Sequence, residues 1–146
     1  MRSTCEYGNI LYKKGEESEN KEEKMQYYNE AMQYEEKAYS ICKNLSPANF
    51  ILGTLYAKYK NDLQKAIFYL QNAIKLNPEN IDSYNNLGIV FCITKQYTKA
   101  IEIFNVALLK DSTNIHVLQN IAMSYRYLGQ ETKANYYSEK LKKTMQ

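Results

Sequence analysis

The sequence predicts an all-α fold, a right-handed solenoid of antiparallel helix-turn-helix hairpins, with three clear units and a degenerate first unit whose second helix is long. Three observations carry this. Ala66, Ala100 and Ala134 recur every 34 residues, each early in a predicted helix, and such a period marks stacked helical hairpins. Ala73 and Ala107 follow the first two by seven residues, so that small side chains let helices approach closely while Ile67, Leu70, Ile101 and Phe104 supply bulk between them. At 146 residues the chain fits one elongated domain over residues 1–146, because each hairpin buries its apolar side only by stacking on a neighbour.

Residues 1–45 form the irregular unit. Tyr7, Gly8 and Leu11 resemble first-helix positions of the later units, but GEESENKEEK follows where a short turn is expected. Beyond it Tyr27, Ala31, Tyr34, Ala38, Ile41 and Leu45 advance by fours and threes and fall on one helical face. A helix from Lys24 to Leu45 would run about 33 Å. A disordered tail before an isolated capping helix is the competing reading, and the acidic stretch from Glu16 to Glu23 suits either.

Residues 46–80 form the next unit, with Leu52, Gly53 and Tyr56, then Ala66, Leu70, Ala73 and Pro78, and one extra residue in the inner turn. In residues 81–114, Tyr84, Leu87, Gly88, Phe91, Ala100, Phe104 and Ala107 fall at the offsets of W-x2-L-G-x2-Y followed by A-x3-F and a small residue. Residues 115–146 repeat this with Leu118, Ile121, Ala122, Tyr125, Gly129 and Ala134, except that Ala122 replaces the glycine and Ser138 the large aromatic. The chain resembles the tetratricopeptide repeat (TPR) family, strongly over residues 46–146 and loosely before them. The first helices are expected near Pro47–Tyr59, Glu79–Ile93 and Asn114–Tyr127, with Gly88 where no large side chain fits.

Composition excludes several classes. No run of 18 apolar residues exists and MRSTCEYGN lacks the apolar core of a secretory signal, so a cytoplasmic location is expected, with no membrane segment. Three cysteines without a paired framework read as reduced thiols, and no Cys-x2-Cys or histidine cluster suggests a metal. Net charge is +3: residues 1–46 hold 7 basic and 9 acidic side chains, and the rest 12 and 7. The excess lies partly in Lys140, Lys142 and Lys143, where a helix C-terminus favours cations, so no specific nucleic-acid signal emerges. Among the fifteen tyrosines, Tyr56, Tyr69, Tyr84, Tyr97 and Tyr125 stand where stacked helices need large amphipathic rings.

Catalysis finds no support. His116 is the single histidine and lacks a relay partner, and there is no phosphate-binding glycine motif, no HExxH and no anchored pair of carboxylates. No cofactor is expected, and the chain is read as a non-enzyme.

The resemblance implies a concave surface lined by first helices that receives a peptide or partner segment. The candidate peptide-binding residues are Asp82, Asn85, Asn86 and Ile89 on one helix and His116, Gln119, Asn120, Met123 and Tyr127 one period later. Asn86 and Asn120 each stand two positions before the small residue. In some TPR proteins such asparagines bind a peptide main chain through both faces of the amide; Ile51 holds the place in the preceding unit. A carboxylate clamp for an acidic chaperone tail fits poorly: Gly8 and Asn9 match, but Cys5 occupies the place of the clamp lysine. Two alternatives to a groove-binding module stay open. One is a structural subunit of an oligomer or larger assembly, held through its terminal helices and a Tyr27, Tyr28, Tyr34 and Tyr39 patch; the other is a regulatory domain trimmed from a larger enzyme.

Overall fold

The computed structural model describes residues 3–146, which form eight α-helices: α1 (Thr4–Glu17), α2 (Lys21–Ile41), α3 (Ser46–Lys58), α4 (Leu63–Leu76), α5 (Ile81–Ile93), α6 (Tyr97–Lys110), α7 (Ile115–Tyr127) and α8 (Glu131–Met145). They fall into two compact units, α1 to α4 and α5 to α8. None of the described helices is long and apolar enough to cross a membrane.

In the first unit α1 pairs with α2 and α3 with α4, and α1 and α2 both lie against α3. α3 is therefore enclosed: Ala48, Ile51, Leu52, Leu55 and Tyr56 are all buried. The acidic stretch after Lys14 is not the long interruption the sequence suggested. α1 opens on a capping box between Ser3 and Glu6 and continues to Glu17, and α2 begins at Lys21 with the Asn20 side chain accepting from the Glu23 N–H. Gly15 makes this tight pairing possible, since a Cβ there would lie 2.6 Å from the Tyr28 ring. At the other end α2 stops at Ile41, four residues before the expected limit. The chain after it is pinned by buried Asn49, whose Nδ2 donates to the carbonyls of Lys43 (3.0 Å) and Leu45 (2.8 Å).

The buried face of α2 is also rotated from the expected one. Tyr28, Ala31, Met32, Glu35 and Ala38 point inward, whereas Tyr34 is 40% and Ile41 73% exposed. A carboxylate at the centre of the stripe hid its true phase. The same rotation breaks up the expected tyrosine patch: Tyr28 is buried, Tyr39 packs edge-on against Tyr69, Tyr27 sits beneath Lys14, and the exposed Tyr34 stacks on Tyr7.

In the second unit α5 pairs with α6 and α7 with α8, while α7 touches both α5 and α6. Leu87, Gly88, Phe91, Ala100, Phe104, Ala107, Ile121, Ala122 and Ala134 are buried, as the repeat pattern requires, and Tyr125 is half-buried.

The 34-residue period is visible in backbone and side chains. The three inner turns place Asn61, Lys95 and Gly129 at positive φ (53°, 59° and 72°), each one period apart. The following N–H closes each turn: Gln96 donates to the Phe91 carbonyl and Gln130 to that of Tyr125, five residues back, but Asp62 reaches Tyr56, six back. That difference is the extra residue read from the sequence. Beside each turn a lysine covers an aromatic face, Lys65 over Tyr56 at 5.0 Å, Lys99 over Phe91 at 5.8 Å and Lys133 over Tyr125 at 5.4 Å. Tyr56 stacks on Tyr69 and Tyr125 on Tyr137, so repeat packing accounts for much of the tyrosine content.

Candidate functional site

The candidate site lies in the second unit, where α5 and α7 lie side by side. Asn80 and Asn114 start the two helices alike, each capping with its side-chain oxygen, to the N–H of Asp82 and of Val117. Matching starts place the outward faces of both helices in register. Across them Asn120 Nδ2 donates to Asn85 Oδ1 at 2.8 Å. This bond fixes which way the Asn120 amide faces.

Next to that pair opens a cleft of about 250 Å³ lined by Ile89, Cys92, Tyr97, Asn120, Met123, Ser124 and Tyr127. Tyr127 is 65% exposed yet stacked on Tyr97, with ring centroids 5.0 Å apart and planes at 6°. The two rings form a firm wall, since each limits the rotation of the other. Ser124 Oγ donates to the Asn120 carbonyl (2.8 Å) and stands 3.2 Å from Cys92 Sγ. Either group can donate in the contact between the Ser124 hydroxyl and the Cys92 thiol. Burial pushes the Cys92 thiol above its ordinary value, outweighing the Ser124 contact that opposes it. The cleft is accordingly neutral, with apolar walls and amide groups at one end.

Of the nine residues expected at the site, the cleft gathers Ile89, Asn120, Met123 and Tyr127, and Asn85 adjoins it through Asn120. Asn86 is half-buried and does not line it. Asp82, His116 and Gln119 are exposed beyond its edge. Sequence reasoning missed Tyr97, Cys92 and Ser124 as lining residues. The repeat pattern marks Tyr97 as a packing ring, but its place at the first position of α6 brings it beside the last residue of α7.

Paired helices with recurring small-residue seams, and a neutral cleft on two first helices, define a scaffold of the protein-interaction class. Tetratricopeptide repeat family models match residues 46–80 and 69–102. The crystal structure of MamA protein superimposes with a TM-score of 0.76 at 27% identity, covering 94% of this chain and 72% of that one. YrrB, described as a TPR protein with an unusual peptide-binding site, shares the fold at a TM-score of 0.76 and 22% identity, over 94% of this chain and 64% of its own. The BBSome complex member BBS4 of Bos taurus is 33% identical over 110 residues, which is 75% of this chain but 20% of that protein. The chain thus spans about a fifth of that relative's length. It belongs to the tetratricopeptide repeat family.

Proposed function

We propose that this TPR protein is a non-enzymatic, cytoplasmic interaction module that receives a segment of a partner protein along α5 and α7. The observation that carries the reading is the cleft walled by the Tyr97–Tyr127 stack and Met123, with the Asn85–Asn120 amide pair at its end. Met123, 44% exposed, and Tyr127 are large apolar groups turned toward solvent, and they would lose water contact beneath a partner. The absence of charge from the lining favours an apolar side chain inserted there, with its own main chain meeting Asn120. The exposed residues Asp82, His116 and Gln119 form a polar rim, and Asn86 supplies a second amide one period before Asn120.

A photoreactive residue at position 123, compared with one at exposed Phe68 of α4, tests the site in cells. The reading requires adducts at 123 that a Tyr127→Ala change diminishes while helicity stays intact. Adducts confined to 68, or indifferent to Tyr127, reject it. A second reading, assembly through α8, draws on the exposure of Tyr136 (62%) and Met145 (67%), and sedimentation of a Tyr136→Lys variant against the parent chain decides it.

A further inference from the structure

Glu35 stands where the neighbouring hairpins have large apolar side chains. The sequence Ala31-x3-Glu35-x2-Ala38 aligns with Ala66-x3-Leu70-x2-Ala73 and Ala100-x3-Phe104-x2-Ala107. Leu70 and Phe104 are fully buried, and so is Glu35, at 0% exposure. Each presses on a glycine of the preceding helix. A Cβ on Gly53 would lie 2.6 Å from Leu70, one on Gly88 2.6 Å from Phe104, and one on Gly8 2.7 Å from the Glu35 carboxyl carbon. The glutamate has therefore taken a core position with no N–H or O–H donor on either oxygen among the described residues, and the weakly donating Cys5 thiol is the group that reaches it.

We propose that Glu35 is a proton-operated latch for α1: with its proton bound, the carboxyl lets α1 close on α2 and α3, and its ionisation drives α1 away from them. The geometry singles out α1 because Gly8 lies directly on the carboxyl and, among the described helices, α1 packs on α2 and α3 alone. Among the described residues no cation stands against the carboxyl to neutralise its charge. On α1 the titratable neighbour is the Cys5 thiol, itself pushed up to about 12 by burial and then by Glu35. The Glu6 carboxylate acts on that thiol and is engaged at the exposed Ser3 cap. α3 brings one charged side chain, Lys58 at its far end, and this is paired with Glu16 at 3.2 Å. Burial accordingly raises the Glu35 carboxyl from 4.5 to about 7, with the Cys5 contact opposing it weakly.

The sign follows from linkage. Below the ordinary carboxylate value Glu35 is protonated whether α1 is closed or open. As pH rises toward 7 the open form releases its proton while the closed form retains it, so closure weakens by up to about tenfold per pH unit and levels off above neutrality. Hydrogen exchange of the 146-residue chain, read for α1 relative to α7 to cancel the intrinsic pH dependence, measures the opening. From pH 6 to pH 8 the open fraction of α1 should increase about tenfold, and Glu35→Gln and the apolar Glu35→Met should both flatten the profile. Alkylation of Cys5 relative to exposed Cys42 gives an independent reading of the same opening. A flat wild-type profile overturns the latch, as does a slope that either folded variant retains.

Discussion

Phe104 lies so close over Gly88 that a Cβ on the glycine would sit 2.6 Å from ring atom Cζ. Phe104 is fully buried. Gly88→Ala should therefore destabilise the protein by about 1–3 kcal/mol through overpacking, despite the better helix propensity of alanine, and Gly88→Leu by at least as much. Denaturant midpoints at unchanged slope measure this. A neutral Gly88→Ala would show that α5 and α6 can separate without cost.

The repeat itself explains what the sequence made legible. Small residues at one-period spacing fixed the hairpins, and the extra residue before Ala66 was visible as a shift of alignment that the Tyr56–Asp62 turn accommodates. Ala122 and Ser138 of the last unit depart from Gly88 and Phe104 together, one side shrinking as the other grows. What stayed hidden were positions where chemistry contradicts burial. Glu35 concealed the inward face of α2, and Tyr97 could not be told from a core ring because the stack with Tyr127 depends on where two different helices end and begin.

The inner turns give a paired test. Gly129 has φ 72° and open space where a Cβ would go, so Gly129→Ala meets only backbone strain and should cost about 1 kcal/mol. Lys95 holds the equivalent place at φ 59° with a Cβ already present. Lys95→Gly should gain about 0.5–1 kcal/mol, the relief of strain exceeding the added chain entropy. Thermal unfolding of both variants must give opposite signs.

Glu16 gives the first unit an acid dependence opposite to that of Glu35. Burial works against its carboxylate, but the Tyr28 hydroxyl and the Lys58 ammonium outweigh it and hold the carboxyl below its ordinary 4.5. The stabilisation is present above that value and is lost as pH falls through the depressed folded value. Tyr28→Phe and Glu16→Gln should each flatten the acid limb of stability below pH 5 and leave the neutral region unchanged in slope. An unaltered acid limb in both variants would place the loss elsewhere.

The Asn85–Asn120 bond predicts that Asn85 acts on binding through its partner. Asn120→Ala should weaken a cognate segment by about 1–3 kcal/mol if a desolvated main-chain group loses its amide. Asn85→Ala leaves the Asn120 amide in place but frees it to rotate, so its penalty should be smaller and should vanish when Asn120 is already alanine. Asn86→Ala, measured beside them, tests the second rung, which must also weaken binding if both amides meet the segment. Calorimetry of the two singles and the double supplies the coupling, with circular dichroism to confirm that each variant remains helical. Additive losses from Asn85 and Asn120 would mean that the two amides meet the partner independently, and unchanged affinity in every variant would remove this face of α5 and α7 from the binding surface.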